Sequence, residues 1–369
     1  MRSFPLALLT LLTLPTGCSR GTGVELAILD CEGPCPRFVY ACNSVSNSIT
    51  GYSVDPRTGA LTPVPGQQLF YGLGWPIALA VHPSRRLLYV ANQNGYVLAL
   101  AIDAATGALS PASHVVDAYG IRDLVIDPAG RWLRAIGREA LGYSITEPTG
   151  VLTPVGGSPF DTGDALSAAV QPGGRFLFVA HSTYRYLGGP IHEVRTYSVD
   201  PATGAVALAQ SWTPSAAPNL VALDRTGDHL YLLTSTDEII TFDIAEMTGE
   251  LSMRGQPLAA AHPVWDLAVA GGFLFVGTGS GPSEIAIHAI DATTGEPAAQ
   301  ASTTIAAGLH GLRMAIDASE QLLYVTSYES NDVRAYRIDA PTGRLVAVPG
   351  SPFAAGAGPG VIAIVQGQQ

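Results

Sequence analysis

Few stretches of this chain gather side chains able to move a proton or hold an anion, and the tightest is Gly308-Leu309-His310-Gly311-Leu312-Arg313. A histidine there could act as general base for water while the arginine stabilises an oxyanion, or the two could simply line a channel as hydrogen-bonding groups. A second gathering is the run from His181 to Glu193, with two histidines, Tyr184, Arg185, Tyr186, His192 and Glu193. It reads either as an extended solvated hairpin or as a loop overhanging a site. His181, Glu193, His310 and Arg313 together form a candidate hydrolytic set. Arg122-Asp123 and Trp265-Asp266 stand at comparable places before strands, and with Tyr184, Arg185, His192, Tyr328 and Glu329 they form a candidate binding set. The alternative for the two dipeptides is ion pairing or packing between repeats.

Other chemistries are excluded or unsupported. All 19 basic residues are arginine, so no lysine can form a Schiff base or serve as a nucleophile. His192-Glu193 lacks the second histidine of a zinc protease motif, and no P-loop, Gly-x-Ser-x-Gly elbow or EF-hand loop occurs. Gly72-Leu73-Gly74 is an isolated glycine pair, too little for a dinucleotide. Cys31 and Cys35 could close a disulfide in an oxidising compartment, but no Cys or His pair follows at zinc-ligand spacing. No metal or cofactor is expected. A formal charge of −11 with no basic stripe argues against nucleic acid.

The elements that must position these residues are strands. With 41 Gly, 27 Pro and many β-branched and aromatic residues, the composition favours short strands and tight turns. One pattern recurs seven times: two alternating strands, an acidic or polar turn ending in Thr-Gly, then a further short strand. The pairs are Thr58-Gly59, Thr106-Gly107, Thr149-Gly150, Thr203-Gly204, Thr248-Gly249, Thr294-Gly295 and Thr342-Gly343, spaced 48, 43, 54, 45, 46 and 48 residues apart. That period suits a four-stranded propeller blade. In Asp55-Pro56-Arg57-Thr58-Gly59 the aspartate can accept from nearby amides, proline presets φ, and glycine takes the left-handed conformation that closes the hairpin.

The ends predict how the ring shuts. Arg37 to Asn43 aligns with a second strand and lacks an inner strand before it, while Gly360 to Val365 aligns with an inner strand and has nothing after it. Pairing them completes a blade and leaves no open edge, which gives an all-β, seven-bladed propeller of four-stranded antiparallel blades over residues 37–369. Cys42 falls where other repeats carry alanine or threonine and reads as a small buried residue. The regular turns fall on one face and irregular loops on the other, so the irregular face is the expected site.

Residues 1–17 read as an export signal, with Arg2 before an apolar run too short to span a bilayer as a mature helix. Gly17-Cys18-Ser19 is similar to a bacterial lipobox, which makes Cys18 a candidate lipidation site and residues 18–36 a linker. Pro15 departs from that motif. Localisation is expected to be the periplasm or cell surface, with membrane contact only through the lipid.

The segments "LLYVANQNGYVLALAIDAATGALSP" and "LLYVTSYESNDVRAYRIDAPTGRL" resemble the repeats of 6-phosphogluconolactonase-like, or lactonase, β-propellers and the related Tyr-Val-Thr-Asn surface propellers. The resemblance implies the fold over nearly the whole chain after the leader. Members with the enzymatic pattern carry Gly-Pro-Arg-His before one inner strand and Ser-Asn-Arg after a later strand. Here those places read Ala217-Pro218-Asn219-Leu220 and Gly277-Thr278-Gly279, without the charged residues. Lactone opening needs a base and oxyanion stabilisation. The expected function is therefore a platform holding a small molecule, glycan or protein on the irregular face. The alternative is an extracytoplasmic lactone hydrolase with a relocated site.

Overall fold

The computed structural model describes residues 37–367 apart from 66–67, 70–73, 117–119, 186–188 and 261–262. The leader, Cys18, Cys31 and Cys35 lie outside the described residues. Among those described, every regular element is a strand, and the strands form seven antiparallel sheets. Blade 1 joins both ends of the chain in the order Pro359–Val365, Arg37–Asn43, Ser48–Val54, Leu61–Pro63. Phe38 pairs with Val365 and Ala41 with Ile362, which is the ring closure expected from the two incomplete repeats. Blades 2 to 7 open with the inner strands Pro76–Val81, Ile121–Ile126, Ala165–Val170, Pro218–Leu223, Val264–Ala270 and Leu312–Ile316.

Second strands such as Leu87–Asn92, Phe273–Thr278 and Leu322–Ser327 are buried along their whole length. They lie between neighbouring blades and face apolar surface on both sides, which explains why their sequences run apolar without alternation. Each core cluster accordingly spans a blade junction; one joins Leu87, Tyr89 and Val97 of blade 2 to Leu133, Ala135 and Tyr143 of blade 3. Cys42 is a free thiol, fully buried in the second strand of blade 1, and burial pushes its ionisation well up.

The Thr-Gly turns do more than reverse the chain. All seven glycines have φ between 67° and 79°, and each lies directly over the first core residue of the preceding blade's second strand. Gly107 covers Phe38, Gly150 Leu87, Gly204 Trp132, Gly249 Phe176, Gly295 His229, Gly343 Phe273 and Gly59 Leu322. A Cβ on Gly204 would come within 2.4 Å of the Trp132 ring, so both conformation and space require glycine. Two residues further along that second strand, a tyrosine often donates to the same glycine carbonyl. Tyr40 bonds Gly107 at 2.6 Å, Tyr89 bonds Gly150 at 3.2 Å, Tyr231 bonds Gly295 at 2.9 Å and Tyr324 bonds Gly59 at 3.4 Å. Arg134 makes this bond to Gly204 in blade 3, while blades 4 and 6 carry Phe178 and Phe275 at this position. The recurrent tyrosine is thus a blade-to-blade fastener.

In four of the seven repeats the Thr-Gly turn is held as its sequence suggests. Asp55 Oδ1 accepts from the amides of Arg57 and Thr58 at 2.8 and 2.9 Å, and Asp103, Asp200 and Asp291 repeat the arrangement. Those backbone hydrogen bonds hold all four carboxyls below the usual carboxylate range.

Candidate functional site

Inner strands line the central channel, and their edges would leave amides unpaired there. Three side chains answer this by reaching to the next blade. Asp123 Oδ2 accepts from Ala168 N at 3.0 Å, Ser167 Oγ from Val221 N at 3.4 Å, and Asp266 Oδ2 from Met314 N at 2.7 Å. The other oxygen of each aspartate accepts from the following amide, Leu124 at 2.8 Å and Leu267 at 3.0 Å. Asp123 and Asp266 are therefore fasteners between blades, acting through backbone amides.

Arg313 occupies the same ring of positions in blade 7. In the inner strands of the six other blades the register slips by one residue near the channel mouth, as between Val264 and Asp266, whereas Leu312 to Ile316 pairs without a slip. Arg313 pairs with Thr326 as Asp123 pairs with Ile136 and Asp266 with Gly277, so it falls level with those aspartates, and blade 7 has no extra residue at the place of Arg122 and Trp265. A guanidinium only donates, so it cannot cap a neighbouring amide. It instead donates to the carbonyls of Trp265 and Leu312. Asp266 is buried, and Asp123 keeps part of its surface on the channel while protein surrounds it elsewhere. Desolvation raises both carboxyls, Asp123 to about 6, and the charge of Arg313 partly offsets the rise at each.

Above this ring, on the irregular-loop face, a cavity of about 730 Å³ opens at the channel mouth. Arg122, Trp265, His310, Arg313, Tyr328 and Glu329 all line it, so six residues singled out from sequence converge there. His310 Nδ1 lies 3.6 Å from Glu329 Oε1, and its ring meets the edge of Trp265 with centroids 6.1 Å apart. The His310 carbonyl accepts from Tyr328 N at 3.0 Å, which ties the two loops together. His310 has φ of 38° and Trp75, on the same lining, has φ of 59°. Such left-handed backbone at bulky residues is costly and collects at sites that need a fixed geometry.

Trp75 and Gln93 line the cavity and were not picked out from sequence. Trp75 is 52% exposed, with its amide held by Asn47 Oδ1 at 2.7 Å. The available signal was a tryptophan in a glycine-rich irregular loop directly before an inner strand, two places before the one that Trp265 takes in blade 6.

The long insertion goes elsewhere. Phe176–Arg185 and Gly189–Val199 pair continuously out to Arg185 and Gly189, extending blade 4 as a hairpin. His181 and Glu193 are cross-strand neighbours, not members of the cavity lining, so the structure does not bring them to His310 and Arg313. His181 is buried, with Nε2 3.5 Å from Thr183 Oγ1; Glu193 pairs with Arg195 at 2.7 Å; His192 Nδ1 lies 3.1 Å from Ser182 Oγ. The side chains of Tyr184 and Arg185 lie outside the described residues. No cluster of three or more His, Cys, Asp or Glu suited to a metal occurs among the described residues.

Comparison with known proteins supports the fold. The model of the lactonase, 7-bladed beta-propeller family matches residues 33–121. Among solved structures, a candidate 6-phosphogluconolactonase from Bacteroides uniformis is similar at 16% identity and a TM-score of 0.74, covering 89% of this chain and 99% of that one. A periplasmic gluconolactonase of Pseudomonas aeruginosa, PpgL, is similar at 18% identity and a TM-score of 0.70, over 89% and 98% of the two chains. No curated protein sequence matches significantly. At these identities the structural likeness speaks for the fold alone. The chain thus has the fold of a seven-bladed β-propeller, and its first part is similar to the lactonase, 7-bladed beta-propeller family.

Proposed function

We propose that this propeller is an exported binding platform that holds a cyclic ligand at its channel mouth, anchored to the cell envelope through Cys18. The observation carrying the binding reading is the cavity of about 730 Å³ whose rim presents Trp75, Trp265 and Tyr328 partly exposed beside Arg122 and Arg313. Exposed aromatic faces next to fixed hydrogen-bond donors suit a ring with polar substituents. Glycans, small cyclic molecules and a protein loop presenting such a group all meet that description. Trp75 and Trp265 are two of the chain's four tryptophans, so ligand entry should change intrinsic fluorescence. A panel of sugars, sugar acids and lactones titrated against that signal tests the reading. Saturable binding lost in Trp75→Ala and Trp265→Ala supports it; saturable binding unaffected by both places the site elsewhere.

The second reading, lactone hydrolysis, is favoured by His310 standing 3.6 Å from Glu329 in the same cavity as Arg313. In that reading Glu329 orients His310, His310 draws a proton from water, and Arg313 faces the developing oxyanion. His310→Ala and Arg313→Ala would each lower lactonase turnover by about a hundredfold or more. Activity surviving both changes excludes this site. Anchoring rests on Gly17-Cys18-Ser19 after an apolar leader. Cys18→Ala should release the protein from the membrane fraction, and a native protein already wholly soluble would refute lipidation.

A further inference from the structure

Resting on the binding reading above, we propose that the pocket selects uncharged cyclic ligands and rejects phosphorylated ones, because carboxylates around its arginines already balance their charge. Among the described residues the lining carries two arginines, Arg122 and Arg313, and one carboxylate, Glu329. Just beneath it, Asp123 and Asp266 stand level with Arg313 in the channel wall, and both interact with its charge. Among the described residues three carboxylates thus meet two guanidiniums, within a chain whose formal charge is −11. A phosphate dianion is held where cationic donors outnumber anions and present free N–H groups. Arg313 is weakened for that role because its charge is shared with Asp123 and Asp266 and its Nη1 is committed to the carbonyls of Trp265 and Leu312.

Neutral cyclic ligands face no such repulsion. The exposed faces of Trp75 and Trp265 can cover an uncharged ring, and Gln93, Ser44 and the remaining arginine N–H groups can bond its hydroxyl or carbonyl oxygens. The buried aspartates cannot move away, because each has both oxygens fixed on backbone amides. The selectivity is therefore built into the frame of the propeller.

D-Glucose and D-glucose 6-phosphate form a matched pair of probes, titrated against tryptophan fluorescence and by calorimetry on the whole protein at pH 7.5 in low salt. The expected result is saturable glucose binding with the phosphate at least tenfold weaker. Added salt should narrow that gap, since screening weakens the repulsion. Glu329→Gln, an exposed position, should narrow it too, by about threefold or more. Asp266→Asn should act in the same direction, read only if its melting curve shows a folded protein, because Asp266 also caps Met314. Tighter binding of the phosphate overturns the selectivity while leaving the pocket a binding site. Saturable binding of another ligand with no response to either probe overturns the ligand class alone. No saturable ligand in the whole panel overturns both readings, and a gap indifferent to salt and to Glu329→Gln overturns the charge balance as its cause.

Discussion

Replacing Arg134 by tyrosine should stabilise this protein. Arg134 stands in blade 3 where blades 1, 2, 5 and 7 carry Tyr40, Tyr89, Tyr231 and Tyr324, and it reaches the same kind of target, the carbonyl of Gly204. It does so as a cation that is 3% exposed, with Nη1 buried and without a hydrogen-bond partner among the described residues. Burial pulls its ionisation down to about 10, against some attraction from Asp127. A guanidinium whose pKa the fold depresses is destabilising while it stays protonated, so this cost is full below pH 10 and fades as pH rises from 10 towards the ordinary arginine value. At neutral pH it amounts to about 3 kcal/mol. Tyrosine would keep the bond to Gly204, remove the buried charge and lose the stacking of Arg134 on Phe160, which is worth about 1 kcal/mol. Space exists for it, because Gly142 lies opposite Arg134 just as Gly51 lies opposite Tyr40. The expected net gain is about 1–2 kcal/mol, seen as a melting temperature a few degrees higher. A fall in melting temperature on Arg134→Tyr would show that the arginine is a net stabiliser and that the reasoning is wrong.

Three further outcomes follow from the frame. Tyr231→Phe should cost about 1 kcal/mol by leaving the Gly295 carbonyl without its donor, whereas Phe275→Tyr would add a hydroxyl at an equivalent position; chemical denaturation of both variants measures the pair. Asp123 is raised to about 6, so the fold binds its proton more tightly than the unfolded chain does, and its penalty is present above pH 6 and disappears as pH falls to about 4. Asp123→Asn should flatten this part of the stability profile, and an unchanged profile would assign it to other groups. Deleting residues from Gly360 onward removes the inner strand of blade 1 and the carbonyl that Thr326 Oγ1 bonds at 2.6 Å, and should abolish cooperative unfolding in calorimetry.

The blades were legible because their signal is local. Thr-Gly needs a left-handed glycine and a small surface over the preceding blade, two demands met within five residues, and those demands recur with each repeat. The closure was legible because two incomplete repeats complement each other. The channel was harder to read. Asp123, Asp266 and Arg313 come from three blades, and each pairs with the fifth residue of its second strand, Ile136, Gly277 and Thr326. Counted back from the inner-strand residues Ile126, Val269 and Ile316 the three hold equivalent places, but their different residue types hid the shared level. His181 and Glu193 misled for the converse reason. Their residue types suit hydrolysis, but pairing across a hairpin turns that cluster into the far end of blade 4.

The pairing of Phe38 with Val365 means that the first and last strands of the propeller lie side by side. A short covalent bridge from residue 366 to residue 37 would make the ring continuous, after which the chain could be opened at a different blade without changing any blade's neighbours. Blade order along the sequence is thus a matter of where the polypeptide happens to start. Circular permutants cut at the outer loops of blades 3 to 5 would keep both the fasteners and the pocket, which is built from blades 6, 7, 1, 2 and 3.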